Sequence, residues 1–180
     1  FQQFLGQLLF DCDQVDEAIR CFQRALTLCP GYIDELNNLG IALARRGKFD
    51  EAIACYRQAL QRQPNQSEVH NNLGKVLLDQ GWLTQAIASC TQAFELNPAL
   101  VEAYNNAGMA YMAQGHLDKA INCFQQAIAV RPQYAEAHSN LGMAWQAQGQ
   151  LDKAIACFRR ALELEPEFVH AHSNLVYALQ

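Results

Sequence analysis

Residues 33–66 read IDELNNLGIALARRGKFDEAIACYRQALQRQPNQ and contain two apolar patterns separated by a glycine. In the first pattern, Leu36, Leu39 and Leu43 follow the i, i+3, i+7 spacing of one helix face. Gly47 then predicts the end of this helix, because glycine readily adopts the left-handed conformation found at helix ends.

A second apolar face follows, formed by Ile53, Tyr56 and Leu60. We expect Asp50 to cap the amino end of this second helix. The equivalent cap sites in the other units are Asp16, Thr84, Asp118 and Asp152. Pro64 ends the unit, because proline cannot continue a helix interior. The stretch therefore predicts two helices joined by a short turn.

The same unit recurs along the chain. The prolines lie 34 residues apart, at Pro30, Pro64, Pro98, Pro132 and Pro166. Two glycine series keep this interval: Gly6, Gly40, Gly74, Gly108 and Gly142, and then Gly47, Gly81, Gly115 and Gly149. A fixed period of this size indicates a repeat array. We expect a single array over residues 1–180, with units 1–32, 33–66, 67–100, 101–134 and 135–168 and a partial unit 169–180.

Small residues recur where the two helices of a unit should approach closely. The first glycine series falls in mid-helix, where each glycine costs about 1 kcal/mol relative to alanine. Because glycine recurs at the same position of five units despite this cost, we expect the two helices of each unit to be in close contact there. The large residues expected to fill the space opposite are Phe22, Tyr56, Phe124 and Phe158.

The composition excludes several classes of function. The chain is 51% apolar and 17% charged, with a formal net charge of −5, which argues against a disordered chain and against a nucleic-acid-binding protein. No run of about 18 apolar residues is present, so we expect no membrane span. The start at Phe1 lacks a basic segment, so we expect no signal peptide. Unpaired cysteines favour a cytoplasmic location.

The seven cysteines and five histidines form no recognisable site. Equivalent cysteines of adjacent units should lie at least one helix diameter apart, about 8–10 Å, which exceeds the roughly 7 Å that a disulfide allows. These cysteines are Cys21, Cys55, Cys123 and Cys157, while Cys12, Cys29 and Cys90 are single. No C-x-x-C zinc motif, phosphate loop or catalytic triad occurs. We therefore predict no enzymatic activity, no metal and no cofactor.

The Leu-Gly pairs at 39–40, 73–74 and 141–142, together with the 34-residue period, resemble the tetratricopeptide repeat (TPR). The resemblance covers essentially the whole chain. It implies an all-α, right-handed α-solenoid in which the first helix of each pair lines a concave groove. The chain departs from the family at its tryptophan position, which holds Gln2, Leu36, His70, Tyr104, His138 and His172. The three histidines there are expected to pack.

One asparagine recurs in every unit after the first. These residues, which we name the ladder asparagines, are Asn38, Asn72, Asn106, Asn140 and Asn174. They are preceded by the backing asparagines Asn37, Asn71 and Asn105, and then by Ser139 and Ser173. Asparagine is a mediocre helix former, so its recurrence calls for a reason. The carboxamides either bond a neighbouring helix backbone or form a ladder that grips a peptide backbone, since a carboxamide offers both donor and acceptor. The two roles are compatible.

The ladder also carries a second resemblance. The array is similar to the superhelical arm of O-linked N-acetylglucosamine transferase, which implies that the ladder asparagines grip ligand backbone. In the first unit Phe4 stands in this place and would break the ladder.

Neighbouring groove positions should set ligand preference. The first-turn acids either favour basic ligand side chains or stabilise the helix dipole, by about 0.3–1 kcal/mol each. These acids are Asp34, Glu68, Glu102 and Glu136. Further along lie Ile41, Lys75, Met109, Met143 and Tyr177. The chaperone-binding TPR subfamily clamps a terminal carboxylate with Lys and Arg at such positions. Because Lys75 is the single lysine here, we expect such tails to bind poorly.

We therefore expect a protein-interaction scaffold that holds an extended peptide or partner segment in the concave groove. One alternative is the substrate-recognition arm of a larger, glycosyltransferase-like enzyme whose catalytic domain lies outside this sequence. A second is a homo-oligomerisation scaffold that associates through the apolar helix bearing Phe1, Phe4 and Leu8. RNA binding is disfavoured by the acidic charge balance.

Overall fold

The computed structural model of the chain describes residues 2–28 and 32–179, without the side chains of residues 2 and 3. The described residues form eleven α-helices: α1 Gln2–Asp11, α2 Val15–Leu28, α3 Ile33–Arg45, α4 Phe49–Arg62, α5 Ser67–Asp79, α6 Leu83–Leu96, α7 Val101–Ala113, α8 Leu117–Val130, α9 Ala135–Ala147, α10 Leu151–Leu164 and α11 Val169–Ala178. Helices α4, α6, α8 and α10 each end two residues before a proline, as a proline stop requires. The predicted all-α solenoid is confirmed.

A left-handed residue ends the first helix of each pair, as the sequence predicts. Gly47 has φ +74°, and its N–H donates to the Ala44 carbonyl at 2.9 Å. The next N–H, of Lys48, donates to the Leu43 carbonyl at 2.9 Å. This is the Schellman arrangement, and it recurs at Gly81, Gly115 and Gly149. In the first unit the position falls on Asp13, with φ +63°.

The predicted caps at Asp50 and its equivalents are wrong. Helix α4 already begins at Phe49, and Lys48 occupies the capping position without a side-chain hydrogen bond. The same offset places Asp16, Thr84, Asp118 and Asp152 one residue inside their helices. The reason is the tightness of the preceding turn, which leaves a single residue between the left-handed glycine and the helix. Acids at this place act on the helix dipole instead.

The predicted pairing of glycines with aromatic rings is confirmed in four units. A Cβ placed on Gly142 would lie 2.6 Å from Cε1 of Phe158, which is itself fully buried. The equivalent pairs are Gly6 with Phe22, Gly40 with Tyr56, and Gly108 with Phe124. In the third unit the residue facing Gly74 is Cys90. We call this contact between the two helices of a unit the glycine seam.

The helices stack so that one set lies inside the curve. Each helix packs on the next along the chain, and the odd-numbered helices also contact one another. Among the described residues the even-numbered helices lie farther apart: no two of them have Cα atoms within 8 Å, and side chains such as Arg57 and Gln85, 3.2 Å apart, bridge the gap. The array therefore curves with its odd-numbered helices on the inside, and their exposed face is the concave surface. No described helix is long and apolar enough to cross a membrane.

Candidate functional site

Three cavities open along the concave surface of the described chain. The first, about 370 Å³, is lined by Phe4, Gln7, Leu8, Asp11 and Asn38. The second, about 360 Å³, lies between α1, α3 and α5, and its polar lining is Arg45, Asn72, Lys75 and Asp79. The third, which we name the C-terminal cavity, has a volume of about 450 Å³. It is lined by Met109, Tyr134, Glu136, Ser139, Asn140, Met143, Glu165, Phe168, His170 and Asn174.

Most of the predicted groove residues lie in these cavities. Asn38 lines the first cavity, and Asn72 and Lys75 line the second. The C-terminal cavity brings together Met109, Asn140, Met143 and Asn174. Asn106 lies on α7 and is half-buried, outside the three cavities.

The backing asparagines lie behind the ladder. Asn71 and Asn105 are 9% and 2% exposed, Asn37 is half-buried, and none of them lines a cavity. They serve instead as acceptors for the ladder asparagine of the next unit. The Nδ2 groups of Asn72, Asn106 and Asn140 donate at 2.9 Å to the Oδ1 atoms of Asn37, Asn71 and Asn105 respectively. Side chain thus bonds to side chain between neighbouring odd-numbered helices, where the sequence suggested a bond to backbone.

Glu136 fixes the orientation of the Asn105 and Asn140 carboxamides. Asn105 donates its Nδ2 to Glu136 Oε1 at 3.1 Å, and a carboxylate can only accept. The Asn105 oxygen is therefore the atom left for Asn140, which must donate its own Nδ2. This leaves the Asn140 oxygen without a hydrogen bond from the described residues, on a side chain that is 7% exposed and lines the C-terminal cavity.

The series changes at both ends. At the amino end Phe4 stands in place of a ladder asparagine and is 83% exposed. At the carboxyl end the residue behind Asn174 is Ser139, and no hydrogen bond joins the two. The three Asn–Asn bonds therefore connect α3, α5, α7 and α9 only.

The first-turn acids differ in their partners. Glu102 accepts a hydrogen bond from Arg131 at 2.9 Å, and the same Arg131 lies 5.5 Å from the ring centroid of Tyr134. Glu136 accepts from Asn105 and, at 3.0 Å, from the hydroxyl of Tyr134. Burial, followed by the nearby Glu136, raises the pKa of Tyr134. For Glu136 both partners are uncharged, so its negative charge is not neutralised by them.

Glu35 is a buried acid that sequence reasoning missed. It is 3% exposed, and its Oε2 has no hydrogen-bond partner among the described residues. Burial raises its pKa, a backbone hydrogen bond opposes the change, and Asp34 adds to it. A signal was available, because the equivalent residues of the later units are all apolar: Val69, Ala103, Ala137 and Ala171.

The three equivalent histidines, which the sequence predicted to pack, each make a hydrogen bond to backbone, and His172 is exposed. Nε2 of His70 lies 2.8 Å from the Pro64 carbonyl oxygen, so the ring donates from this nitrogen. The same contact joins His138 to Pro132 and His172 to Pro166. Each histidine ties the start of an odd-numbered helix to the loop before it. The side chain of Gln2 lies outside the described residues.

The described cysteines are free thiols, as the spacing predicted. They lie on even-numbered helices, whose Cα atoms are too far apart for a disulfide, apart from the exposed Cys12 after α1. Burial, together with the neighbouring Cys123, raises the pKa of Cys90 to about 12. Burial raises the pKa of Cys123 and of Cys157 to about 11. Cys29 lies outside the described residues. Within residues 2–28 and 32–179, no group of three or more His, Cys, Asp or Glu side chains could hold a metal ion.

Comparison with protein families agrees with this geometry. The family model described as TPR repeat matches residues 6–47, 42–81, 74–115 and 108–149. A second model, described as tetratricopeptide repeat, matches residues 135–168. No curated protein shows significant sequence similarity to the chain.

Solved structures show the same fold. The chain is similar to TTC0263, a thermophilic TPR protein of Thermus thermophilus, with 26% identity, coverage of 99% of this chain and 97% of that one, and a TM-score of 0.80. It is similar to MamA at 26% identity, with coverage of 90% and 95% and a TM-score of 0.79. It shares its fold with YrrB at 23% identity, with coverage of 96% and 89% and a TM-score of 0.75.

Proposed function

Because the chain belongs to the tetratricopeptide repeat family, we propose that it is a protein-interaction scaffold whose concave surface binds an extended segment of a partner protein. The role is one of binding, without catalysis. The division into units 33–66, 67–100, 101–134 and 135–168, flanked by residues 1–32 and 169–180, is part of this proposal. YrrB is described as a TPR protein with an unusual peptide-binding site, and its likeness to this chain concerns the fold.

The observation that carries the proposal is the fixed orientation of the ladder carboxamides. Because Asn72, Asn106 and Asn140 each donate Nδ2 to the unit before them, their Oδ1 atoms keep one direction without an entropy cost on binding. Asn72 and Asn140 line cavities of the concave surface. An oxygen held in this way accepts a backbone N–H, a group that every residue of an extended ligand except proline carries. Binding would therefore depend little on ligand sequence.

The structural and binding roles of the asparagines can be separated by two matched variants. The ladder variant carries Asn72→Ala, Asn106→Ala and Asn140→Ala, and the backing variant carries Asn37→Ala, Asn71→Ala and Asn105→Ala. Both variants lose the same three Asn–Asn hydrogen bonds, and the backing variant also loses the bond from Asn105 to Glu136. Only the ladder variant loses the carboxamide oxygens that carry the proposal.

We expect the ladder variant to lose binding broadly across a peptide array, while the backing variant, folded by circular dichroism, keeps most of it. Unchanged binding by the ladder variant would show that the oxygens do not contact ligand. An equal loss in both variants would show that the asparagines act through the fold.

A second candidate function, self-association through α1, is favoured by exposed apolar surface. Phe4 and Leu8 lie one turn apart and are 83% and 57% exposed. Phe1, which the sequence placed in the same surface, lies outside the described residues. Light scattering over a range of concentrations tests this candidate. A mass that stays monomeric, or that rises equally in a Phe4→Ser, Leu8→Ser variant, would exclude it.

A further inference from the structure

The C-terminal cavity combines two acids with an apolar wall. Its volume of about 450 Å³ lies within the range of about 300–1,000 Å³ that is usual for small-ligand sites. Glu136 and Glu165 supply two carboxylates to its lining. Met109, Met143 and Phe168 supply the apolar part. The second cavity differs, since its charged lining is Arg45, Lys75 and Asp79.

The negative charge of the C-terminal cavity is not neutralised by the residues that line it. Among the described residues, no lysine or arginine lines it, and His170 is its only basic side chain. Glu136 is held by the uncharged donors Asn105 and Tyr134, and Glu165 makes no ion pair within the described residues. Arg131 lies 5.5 Å from the ring of Tyr134 in the lining, but it forms an ion pair with Glu102 at 2.9 Å.

The apolar wall suits a long side chain that ends in a cation. Methionine thioethers are flexible and pack well against an alkyl chain. Lysine and arginine bury their stems on apolar surface while the charged end reaches a polar partner. An aromatic ring such as Phe168 adds a favourable face for a cation. The acidic, apolar and aromatic residues of the lining together match a lysine or arginine side chain.

We propose that the C-terminal cavity binds a lysine or arginine side chain of an extended peptide, with its cationic end between Glu136 and Glu165. The inference rests on the proposed function, because Asn140 and Asn174, which line the same cavity, would hold the peptide backbone beside that side chain. The Asn140 oxygen has no hydrogen bond from the described residues and is available for this contact. A basic residue of the partner would thus determine specificity, and hydrogen bonds to the partner's backbone would contribute affinity.

The test uses three fluorescein-labelled peptides of alanine and serine that differ only at a central residue: lysine, norleucine or glutamate. Norleucine keeps the alkyl stem and removes the charge. We expect the lysine peptide to bind about tenfold more tightly than the norleucine peptide, as one charge-assisted contact allows, and the glutamate peptide to bind most weakly. The difference should shrink as salt is added.

Glu165→Gln is the decisive variant, because the Glu165 carboxylate makes no hydrogen bond or ion pair within the described residues, so we expect the variant to fold normally. We expect Glu165→Gln and Glu136→Gln each to reduce the lysine preference several-fold. Glu167→Gln removes the same charge two residues away, outside the cavity lining, and should leave the preference unchanged. A preference that survives in both cavity variants, or that falls equally in Glu167→Gln, would overturn the inference.

The outcomes separate this inference from the proposed function. Binding of all three peptides with equal affinity, abolished by the ladder variant, would leave the scaffold role standing and overturn the basic-residue site. Failure of every peptide to bind would overturn both.

Discussion

The third and fifth units solve the same packing problem with different residues. In the fifth unit Gly142 faces the ring of Phe158, and in the third unit Gly74 faces the thiol of Cys90. A Cβ on Gly74 would also lie 3.2 Å from the Cys90 backbone nitrogen and 3.3 Å from the Ala86 carbonyl oxygen.

The aromatic surface missing from the third seam is found elsewhere. Phe94 stacks on Tyr104 of the next unit, with ring centroids 4.4 Å apart and planes 6° from parallel. What the seam requires is thus the absent Cβ, and the residue opposite can vary if neighbouring side chains fill the remaining space.

The two units should differ most in stability when the residue opposite the glycine is truncated. We expect Phe158→Ala to cost about 3–5 kcal/mol, because it removes a fully buried ring and leaves a cavity. Cys90→Ala removes only a buried thiol and should cost about 1 kcal/mol. Chemical denaturation followed by circular dichroism measures both. Equal losses would mean that the two seams contribute equally to stability.

Addition of a methyl group to the glycine should have the next largest effect. We expect Gly142→Ala and Gly74→Ala each to cost about 1–3 kcal/mol through overpacking. Truncation of the partner should rescue them differently. Phe158→Leu relieves Gly142→Ala, since the three nearest atoms there belong to the ring. Cys90→Ala relieves Gly74→Ala only in part, because two backbone atoms remain close. Thermal unfolding of the double variants decides this, and equal rescue would contradict it.

The sequence predicts those contacts of the fold whose residues recur with the 34-residue period. The pairing of Gly142 with Phe158 follows from spacing alone, since both recur every 34 residues. Cys90 breaks the aromatic series, and the packing of Phe94 against the Cys90 cluster and on Tyr104 depends on contacts between units that no local pattern records. The predicted cap at Asp50 lies two residues after the actual capping position, Lys48, because helix starts depend on turn geometry.

The candidate site was predictable in the same uneven way. The recurrence of the ladder asparagines marked them, but their bonds to the backing asparagines required the distance between neighbouring helices. The C-terminal cavity could not be foreseen as a unit. Glu165 and Phe168 come from the loop before α11, and only the fold brings them beside Glu136.

Substitution of Glu35 should have a smaller effect on stability. Glu35 is the single acid at a position that is apolar in the later units. Glu35→Ala installs the residue found in the fourth and fifth units, at Ala103 and Ala137. We expect it to stabilise the protein by about 1 kcal/mol at pH 7, because it removes a buried oxygen without a described partner.

The pH dependence of this gain has a definite sign. The folded-state pKa of Glu35 is raised, so its burial is tolerated below the ordinary value of 4.5 and becomes costly as pH rises through the folded pKa. The advantage of alanine should therefore shrink at about pH 4. Thermal unfolding at both pH values measures it, and a pH-independent gain would assign the effect to helix propensity.

The smallest effect should come from the thiol of the third seam. Its pKa is raised from 9.0 to about 12, so the stability that depends on the neutral thiol is complete below pH 9 and is lost as pH rises towards 12. The fifth seam holds no ionisable group at this place. We expect Cys90→Ala to flatten the fall of melting temperature between about pH 9 and 11, while Phe158→Ala leaves the slope unchanged. Parallel slopes in all three proteins would contradict this.

The odd-numbered helices lie closer to one another than the described even-numbered helices do, and this difference has a mechanical consequence. Each unit contacts mainly its neighbours, and these contacts are closest on the concave side, so we expect bending to displace the convex side more. The Asn–Asn bonds between α3, α5, α7 and α9 lie along it, so they change length little when the coil flexes. The outer helices spread and close instead. We therefore expect thermal bending to alter the outer circumference more than the spacing of the ladder asparagines along the inner side.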